Sequence, residues 1–268
     1  MTKDKDFREI GDASVPNAGR IYDFLLGGHH NFEIDRQAAN QVIQFSPHMP
    51  DFFRLTRWFL GEATRLLCEE GFTKFLDFAS GLPTVDHIHN VAPAGTKVIY
   101  SDIDPVTVAY ANEILGDNPD VHYVLGDAGK PENLLNSELV QQQFGSDRKI
   151  AIGLNGIAWF LRDEEIARYM EVLYDWADEG SSLFICDTET DTSTLTEEGK
   201  ATLEMYKAMG QELFLRSHDQ LLKLLGPWAK VEPDFKPVEE WVGVDSHVSE
   251  AILKTWGSAA FTGAILKK

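Results

Sequence analysis

The sequence predicts an α/β fold: a doubly wound, mostly parallel seven-stranded sheet with an N-terminal helical extension. Three observations predict it. Residues before 72 carry helical signals only, short apolar runs alternate with helical stretches from 74 to 187, and the first of those runs ends in a small-residue turn opening into a helix. The chain has 268 residues with 43% hydrophobic and 25% charged, enough apolar content for a sizeable core and too much for wholesale disorder.

Residues 1–71 read as the helical region. Arg20 to Leu26 is closed by Gly27 and Gly28, a second segment is opened by Asn31, and a long one is opened by Pro50. The long one carries Phe53, Leu55, Trp58, Phe59, Ala63, Leu66 and Leu67 at three- and four-residue steps, with Gly71 as its C-terminal cap. In residues 72–268, strands are expected at Lys74 to Ala79, Lys97 to Asp102, Val121 to Gly126, Lys149 to Leu154 and Ser182 to Asp187. Helices are expected between them at Pro83 to Val91, Pro105 to Leu115, Pro131 to Gln141 and Asp163 to Ala177. Strands separated by helices pair in parallel through right-handed crossovers. Beyond Asp187, Thr194 with Glu197 marks a helix running toward Arg216, and Ser217 with Gln220 marks another over Leu221 to Leu225. Ala229 to Glu232 and Ser258 to Leu266, with a loop around Trp241 to Thr255 between them, read as an antiparallel edge hairpin.

Charge and composition remove several functions. With 24 Lys plus Arg against 43 Asp plus Glu the net charge is −19, which opposes nucleic-acid binding because no cation cluster displaces counterions from phosphates. Cys68 and Cys186 lie far apart in apolar surroundings and read as core thiols in a reducing compartment. The opening string MTKDKDFREIGD has no apolar stretch of a secretory signal, and apolar runs such as Lys149 to Leu154 fall short of the roughly 20 residues that span a bilayer. A cytoplasmic protein without membrane partners is expected. No fixed-period repeat occurs.

The chemistry concentrates at strand ends. Asp77, Asp102, Asp127 and Asn155 close four successive strands, at the edge where open α/β sheets bind ligands. After Asp77 comes Ala79-Ser80-Gly81, small residues that admit a ligand to the backbone, but Ala79 and Thr84 occupy two positions of the dinucleotide fingerprint, so a pyrophosphate turn is poorly supported. Asp102, with Ile103 beside it, lies about 20 residues on, where a carboxylate accepts both hydroxyls of a ribose. Asp104 reads as a helix N-cap, and Asp127 with Ala128 as the neighbour of an exocyclic amine such as adenine N6. Acidic groups at the first turn favour a cationic ligand over a diphosphate. S-adenosylmethionine fits.

At these residues the chain resembles the S-adenosyl methyltransferase family long catalogued as a domain of unknown function in actinobacteria and their relatives. The resemblance lies in Pro16-Asn17-Ala18, Arg20, Tyr22-Asp23, Leu25-Leu26-Gly27-Gly28, Asn31-Phe32 and Asp35-Arg36, then Ser80-Gly81-Leu82-Pro83-Thr84 with His89, and Val98-Ile99-Tyr100 with Asp102 and Asp104-Pro105. It implies a class I methyltransferase fold with the cofactor at Asp77, Gly81, Asp102 and Asp127. The chain departs from the family pattern at His29-His30, where members commonly carry a lysine followed by an acidic or polar residue, and Ala79 stands where methyltransferases usually have glycine.

The polar string from Tyr22 to Arg36 reads either as a capped helical hairpin or as a lid over the sheet edge. In the lid, Asn31 also joins the site, Arg20 or Arg36 meets the cofactor carboxylate, and His29, His30 or Tyr22 serves as a base for an alcohol or phenol acceptor. His87 and His89, two apart on a helix, do not make a metal site, and no metal is expected. Trp159 and Phe160 stack on a flat substrate or pack in the core, and the carboxylates from Asp187 to Asp191, including Glu189, favour a cationic acceptor or solvate a loop. The function expected is methyl transfer from S-adenosylmethionine to a small molecule. A non-catalytic cofactor-binding sensor or scaffold and, more weakly, a nicotinamide oxidoreductase are the alternatives; a homo-oligomer is left open.

Overall fold

The computed structural model describes residues 14–268 except Val85, Glu232 and Ser258. The opening string read for export lies outside the described residues, as do those three, which fall in expected elements. Three helices come first: α1 (Ala18–Leu25), α2 (Glu33–Phe45) and α3 (Met49–Glu69). Asn17 starts α1 by accepting the N–H groups of Gly19 and Arg20 at 2.8 and 3.2 Å. Asn31 does not cap α2. Phe32 holds that place, its N–H donating to the Asp35 carboxylate at 2.8 Å, while the Asn31 amide donates to Asp23.

The strands are β1 (Lys74–Phe78), β2 (Lys97–Asp102), β3 (Val121–Leu125), β4 (Ala151–Asn155), β5 (Ser182–Thr190), β6 (Lys236–Pro237) and β7 (Ala259–Lys267). They form one sheet in the order β3-β2-β1-β4-β5-β7-β6. The first five are parallel; β7 runs antiparallel to β5 and β6. Side chains alternate between two cores. Phe75, Val98, Tyr100 and Phe184 face the N-terminal helices with Val42, Phe59 and Leu67, while Leu76, Ile99, Ile152 and Leu183 face the opposite layer with Ile166, Tyr169 and Leu173.

The remaining helices are α4 (Ile88–Val91), α5 (Pro105–Leu115), α6 (Pro131–Leu135), α7 (Glu138–Phe144), α8 (Asp163–Trp176), α9 (Glu197–Ala208), α10 (His218–Leu224), α11 (Val238–Val242) and α12 (Val248–Trp256). Several expectations are corrected. The helix from Pro83 survives only as α4, because Asp86 takes φ +60° and His87 supplies the N-cap. The helix from Pro131 breaks at Asn136, and Ser137 caps a second one through the Val140 N–H. Thr196 rather than Thr194 caps α9, which stops at Ala208 instead of reaching toward Arg216, with Gly210 at φ +74° after it. Ala229 ends a 3-10 turn around buried Trp228, so the edge strand is Lys236–Pro237, and α11 and α12 occupy the stretch read as a loop. Buried Val238, Val248, Ile252 and Trp256 hold those two helices. Among the described residues no helix is long and apolar enough to cross a membrane.

One buried cluster ties the N-terminal helices to the sheet. Arg20 is fully buried and donates from Nε to Asp35 at 2.8 Å, from Nη1 to Asp104 at 2.9 Å and from Nη2 to the Val15 carbonyl at 2.7 Å. Asp35 also accepts the Asn17 N–H at 2.9 Å, and Asp104 caps α5 through the Val106 N–H at 3.0 Å. The guanidinium is therefore spent on bonds within this cluster. Breaking such a pair leaves an uncompensated buried charge, so Asp35→Ala is expected to reduce the unfolding free energy by about 3–5 kcal/mol in a urea titration. A loss below about 1 kcal/mol would show that the cluster does not hold the helices.

Candidate functional site

The order of the strands reverses direction between β1 and β4, and open sheets hold ligands at that reversal, outside the carboxyl ends. A cavity of about 860 Å³ lies there. Its floor carries Asp77, Ala79, Ser80, Gly81, Asp102, Ile103, Asp127, Ala128 and Asn155. Its roof is built by α1 and α3 with Tyr22, Phe52, Phe53, Thr56, Arg57 and Leu60.

The turn after β1 is fixed from four sides. Ser80 donates its N–H to the Ser101 carbonyl at 2.9 Å, and Gly81 donates its N–H to Asp102 at 3.1 Å. The Tyr123 hydroxyl donates to the Gly81 carbonyl at 2.6 Å. His87 Nδ1 accepts the Ile88 N–H at 3.1 Å, leaving Nε2 to donate to the Ser80 carbonyl at 3.2 Å. Burial holds this imidazole neutral, its pKa well below the ordinary value. The turn reverses the backbone sharply: Ala79 sits at φ +50° and Gly81 at φ +61°. Alanine in that region carries a Cβ clash that glycine lacks, so the exchange at 79 strains the turn besides narrowing the approach to it.

The acids differ in their surroundings. Asp102 accepts the Gly81 and Asp104 N–H groups, the latter at 2.9 Å, and burial pushes its pKa up to about 6. Half-buried Asp127 accepts the Gly129 N–H at 2.8 Å. Asp77 is 2% exposed, and its Oδ1 has no hydrogen-bond partner among the described residues. It leans over β4, where a Cβ on Gly153 would come within 2.1 Å of that oxygen, so only glycine admits it. Burial pushes its pKa up to about 7, against the opposing pull of Ser80 and the Arg57 guanidinium.

Arg57 is not among the residues the sequence singles out, yet it is a buried cation lining this site. It is 5% exposed, with Nε and Nη1 lacking partners among the described residues and Nη2 donating to the Leu82 carbonyl at 3.5 Å. Its guanidinium lies 5.3 Å from the centre of the Tyr22 ring. The signal available was an arginine between Phe53 and Leu60, on the buried stripe of an amphipathic helix.

Of the other residues expected here, Tyr22 and Asn155 line the cavity and Arg20, His29, His30, Asn31 and Arg36 do not. His29 is exposed. The His30 N–H and the Asn31 amide both donate to Asp23, at 2.9 and 2.8 Å. Gly28 is required beside them, since a Cβ there would come within 2.0 Å of the Asp23 carboxylate. Arg36 pairs with Glu33 at 2.8 Å and with the Asn31 carbonyl at 3.0 Å. Tyr22 donates to the Phe53 carbonyl at 3.3 Å, and burial raises its phenol despite Arg57. His89 bonds the Tyr100 hydroxyl at 3.0 Å. Trp159 and Phe160 line the cavity. On β5 the alternation turns Thr188 and Thr190 toward it, while Asp187 accepts the Thr188 N–H and Glu189 bonds Thr262 and His218 at 2.7 and 2.9 Å. Those two carboxylates do not line the cavity.

Sheet order, acidic strand tips and a crevice at the reversal of strand order together define a Rossmann-like methyltransferase fold, and solved structures agree. A candidate methyltransferase from Thermobifida fusca YX superposes with a TM-score of 0.82 at 27% identity, covering 96% of each chain. A DUF574 family protein from Streptomyces avermitilis MA-4680 gives 0.82 at 24%, over 96% of this chain and 99% of that one. The magnesium protoporphyrin IX methyltransferase of Synechocystis PCC 6803, with bound S-adenosylhomocysteine, gives 0.52 at 12%, over 98% and 100%, a likeness of fold. No curated protein matches the chain. The model of the S-adenosyl methyltransferase family matches residues 4–265, and the chain belongs to that family. Its cofactor is S-adenosylmethionine, which displaces the nicotinamide reading.

The chain's own residues fit that molecule. A buried carboxyl and a buried guanidinium, both with unmet hydrogen-bonding atoms, line one cavity, as an amino-acid zwitterion requires. Asp77 also makes stability pH-dependent. Its unfolded pKa is near 3.8 and its folded value about 7, so the native state holds the extra proton between them and stability falls as pH rises through that window. Asp77→Asn is therefore expected to gain stability relative to the parent protein as pH rises from 5 to 8, by up to roughly 3 kcal/mol across that range. Parallel stability curves for the two proteins across that range would contradict the assignment.

Proposed function

We propose that the protein is a catalytically active methyltransferase whose acceptor is a small molecule. One observation carries the reading: a single cavity is acidic at the tips of β1 to β3 and lined by aromatic rings beside β4 and β5. The cavity of about 860 Å³ lies toward the upper end of the roughly 300–1,000 Å³ that ligand pockets occupy, and its aromatic part adds a second stretch of lining beside the acidic strand tips. The rings line this space instead of filling it, which favours an enzyme over the non-catalytic sensor or scaffold.

When bound, the cofactor supplies a methyl group on a positively charged sulfur, which an acceptor lone pair displaces in line while the electron pair of the broken bond stays on sulfur. Asp102 accepts from the ribose hydroxyls and Asp127 from the adenine amine, on a floor of Ala79, Ser80, Gly81, Ile103 and Ala128. Asp77 holds the ammonium and Arg57 the carboxylate of the amino-acid end, the role first assigned to Arg20 or Arg36. Asn155, half-buried with its Oδ1 unpartnered among the described residues, faces the space between the two ends. Segment 14–71 acts as the lid over the unit 72–268 and excludes water from the cavity. Of the three side chains considered as bases, Tyr22 alone lines the cavity. Its raised phenol pKa suits it to holding Arg57 in place more than to taking a proton. The transfer gains chiefly from holding acceptor and methyl in line, so little acid–base machinery is obligatory.

Calorimetry with S-adenosylhomocysteine tests the reading. Loss of a charge-assisted hydrogen bond in Arg57→Met is expected to weaken binding roughly 10- to 100-fold. Affinity is expected to rise from pH 6 to pH 8, because the ammonium prefers ionised Asp77. Equal affinity in the variant, or NAD bound as tightly as S-adenosylhomocysteine, would overturn it.

A further inference from the structure

The end of the cavity beside β5 has a chemistry of its own. A relay of rings leads there from the cofactor end: Tyr22 and Phe53 have centroids 4.9 Å apart, Phe53 and Phe52 5.2 Å, Phe52 and Trp159 6.4 Å, Trp159 and Phe160 6.3 Å, and Phe160 and Tyr206 6.4 Å. All line the cavity. Such spacings suit edge and offset stacking, and a further flat ring gains from both.

This stretch of wall holds no fully buried charge. Of the ionised side chains lining it, Arg162 and Glu212 are exposed and half-buried Glu165 accepts the Arg162 N–H at 2.8 Å, while the Tyr206 phenol, pushed up to about 12 by burial, is neutral. An ionic acceptor would leave water without a buried counter-charge, a loss that neutral molecules avoid. The wall still holds polar atoms awaiting a partner. Thr190 is 2% exposed, and its hydroxyl has no hydrogen-bond partner among the described residues; the same holds for the Thr188 hydroxyl and the Gln211 carbonyl oxygen. All three residues line the cavity. Buried polar atoms are nearly always satisfied in the working state of a protein, so three unmet ones beside an apolar wall mark where the polar group of a ligand goes.

We propose that the methyl acceptor is an uncharged, planar aromatic molecule carrying a hydroxyl or comparable neutral polar group, seated against Phe52, Trp159, Phe160 and Tyr206 with that group at Thr190. This rests on the reading of the cavity as a methyltransferase site. The rings give affinity through stacking and apolar contact, and Thr190 sets the orientation. An aliphatic alcohol of similar size lacks the first, and an aromatic sulfonate brings a charge the wall cannot offset.

The test uses the full chain saturated with S-adenosylhomocysteine and titrated by calorimetry with 1-naphthol, naphthalene-1-sulfonate and cyclohexanol. 1-Naphthol is expected to bind at least about tenfold more tightly than either of the others. Thr190→Val is expected to weaken it about three- to tenfold, with Thr190→Ser within about twofold of the parent. Phe160→Ala, at a half-buried ring, is expected to weaken it by a similar factor. Equal or tighter binding of the sulfonate or of cyclohexanol overturns the proposal, as does equal loss in the Val and Ser variants. S-adenosylhomocysteine bound without measurable 1-naphthol binding overturns this proposal alone. Failure to bind S-adenosylhomocysteine removes the methyltransferase reading and this one with it.

Discussion

A guanidinium with no exposed surface, Arg20, joins two carboxylates from different parts of the chain, and the site depends on that junction. Asp35 belongs to α2, which packs against α1 of the roof, and Asp104 lies two residues past β2, next to the Ile103 that lines the floor. Charges buried this deeply are tolerated only when each is paired and hydrogen-bonded. The cluster meets that condition by also taking up the N–H groups of Asn17, Phe32 and Val106. Roof and floor therefore share one set of bonds, and a shift in either disturbs both.

The floor has a second layer of control. Asp102 accepts the Gly81 N–H, Tyr123 donates to the Gly81 carbonyl, and neutral His87 donates to the Ser80 carbonyl, so the turn is fixed by side chains from beyond it. A turn missing one customary glycine needs that support, since Ala79 does not adopt its backbone angles freely. The acids of the site are then pushed in one direction by burial, Asp77 to about 7 and Asp102 to about 6, in a setting prepared for a positive ligand.

Much of the fold was legible in the sequence, because apolar periodicity reports burial directly. β2 and α5 have the bounds expected from their runs, and the other parallel strands fall within a few residues of theirs. The C-terminal region was less legible. A two-residue strand such as β6 is too short for a pattern, and α11 and α12 are brief helices separated by Gly243. At the site, the strand-end acids were visible because position along a parallel strand fixes which edge a residue reaches. Arg57 was not: periodicity tells which face of α3 is buried but not that it meets a cavity. The string from Arg20 to Arg36 drew attention by its polarity, and most of that polarity is consumed within the roof, where Arg20 pairs with Asp35 and Arg36 with Glu33.

Two of the six tryptophans, Trp159 and Trp256, border the cavity. An indole answers to the polarity and proximity of what surrounds it, so an occupant that expels water from this chamber alters the emission of both. The chain thus carries its own optical gauge of occupancy, legible without dye or label.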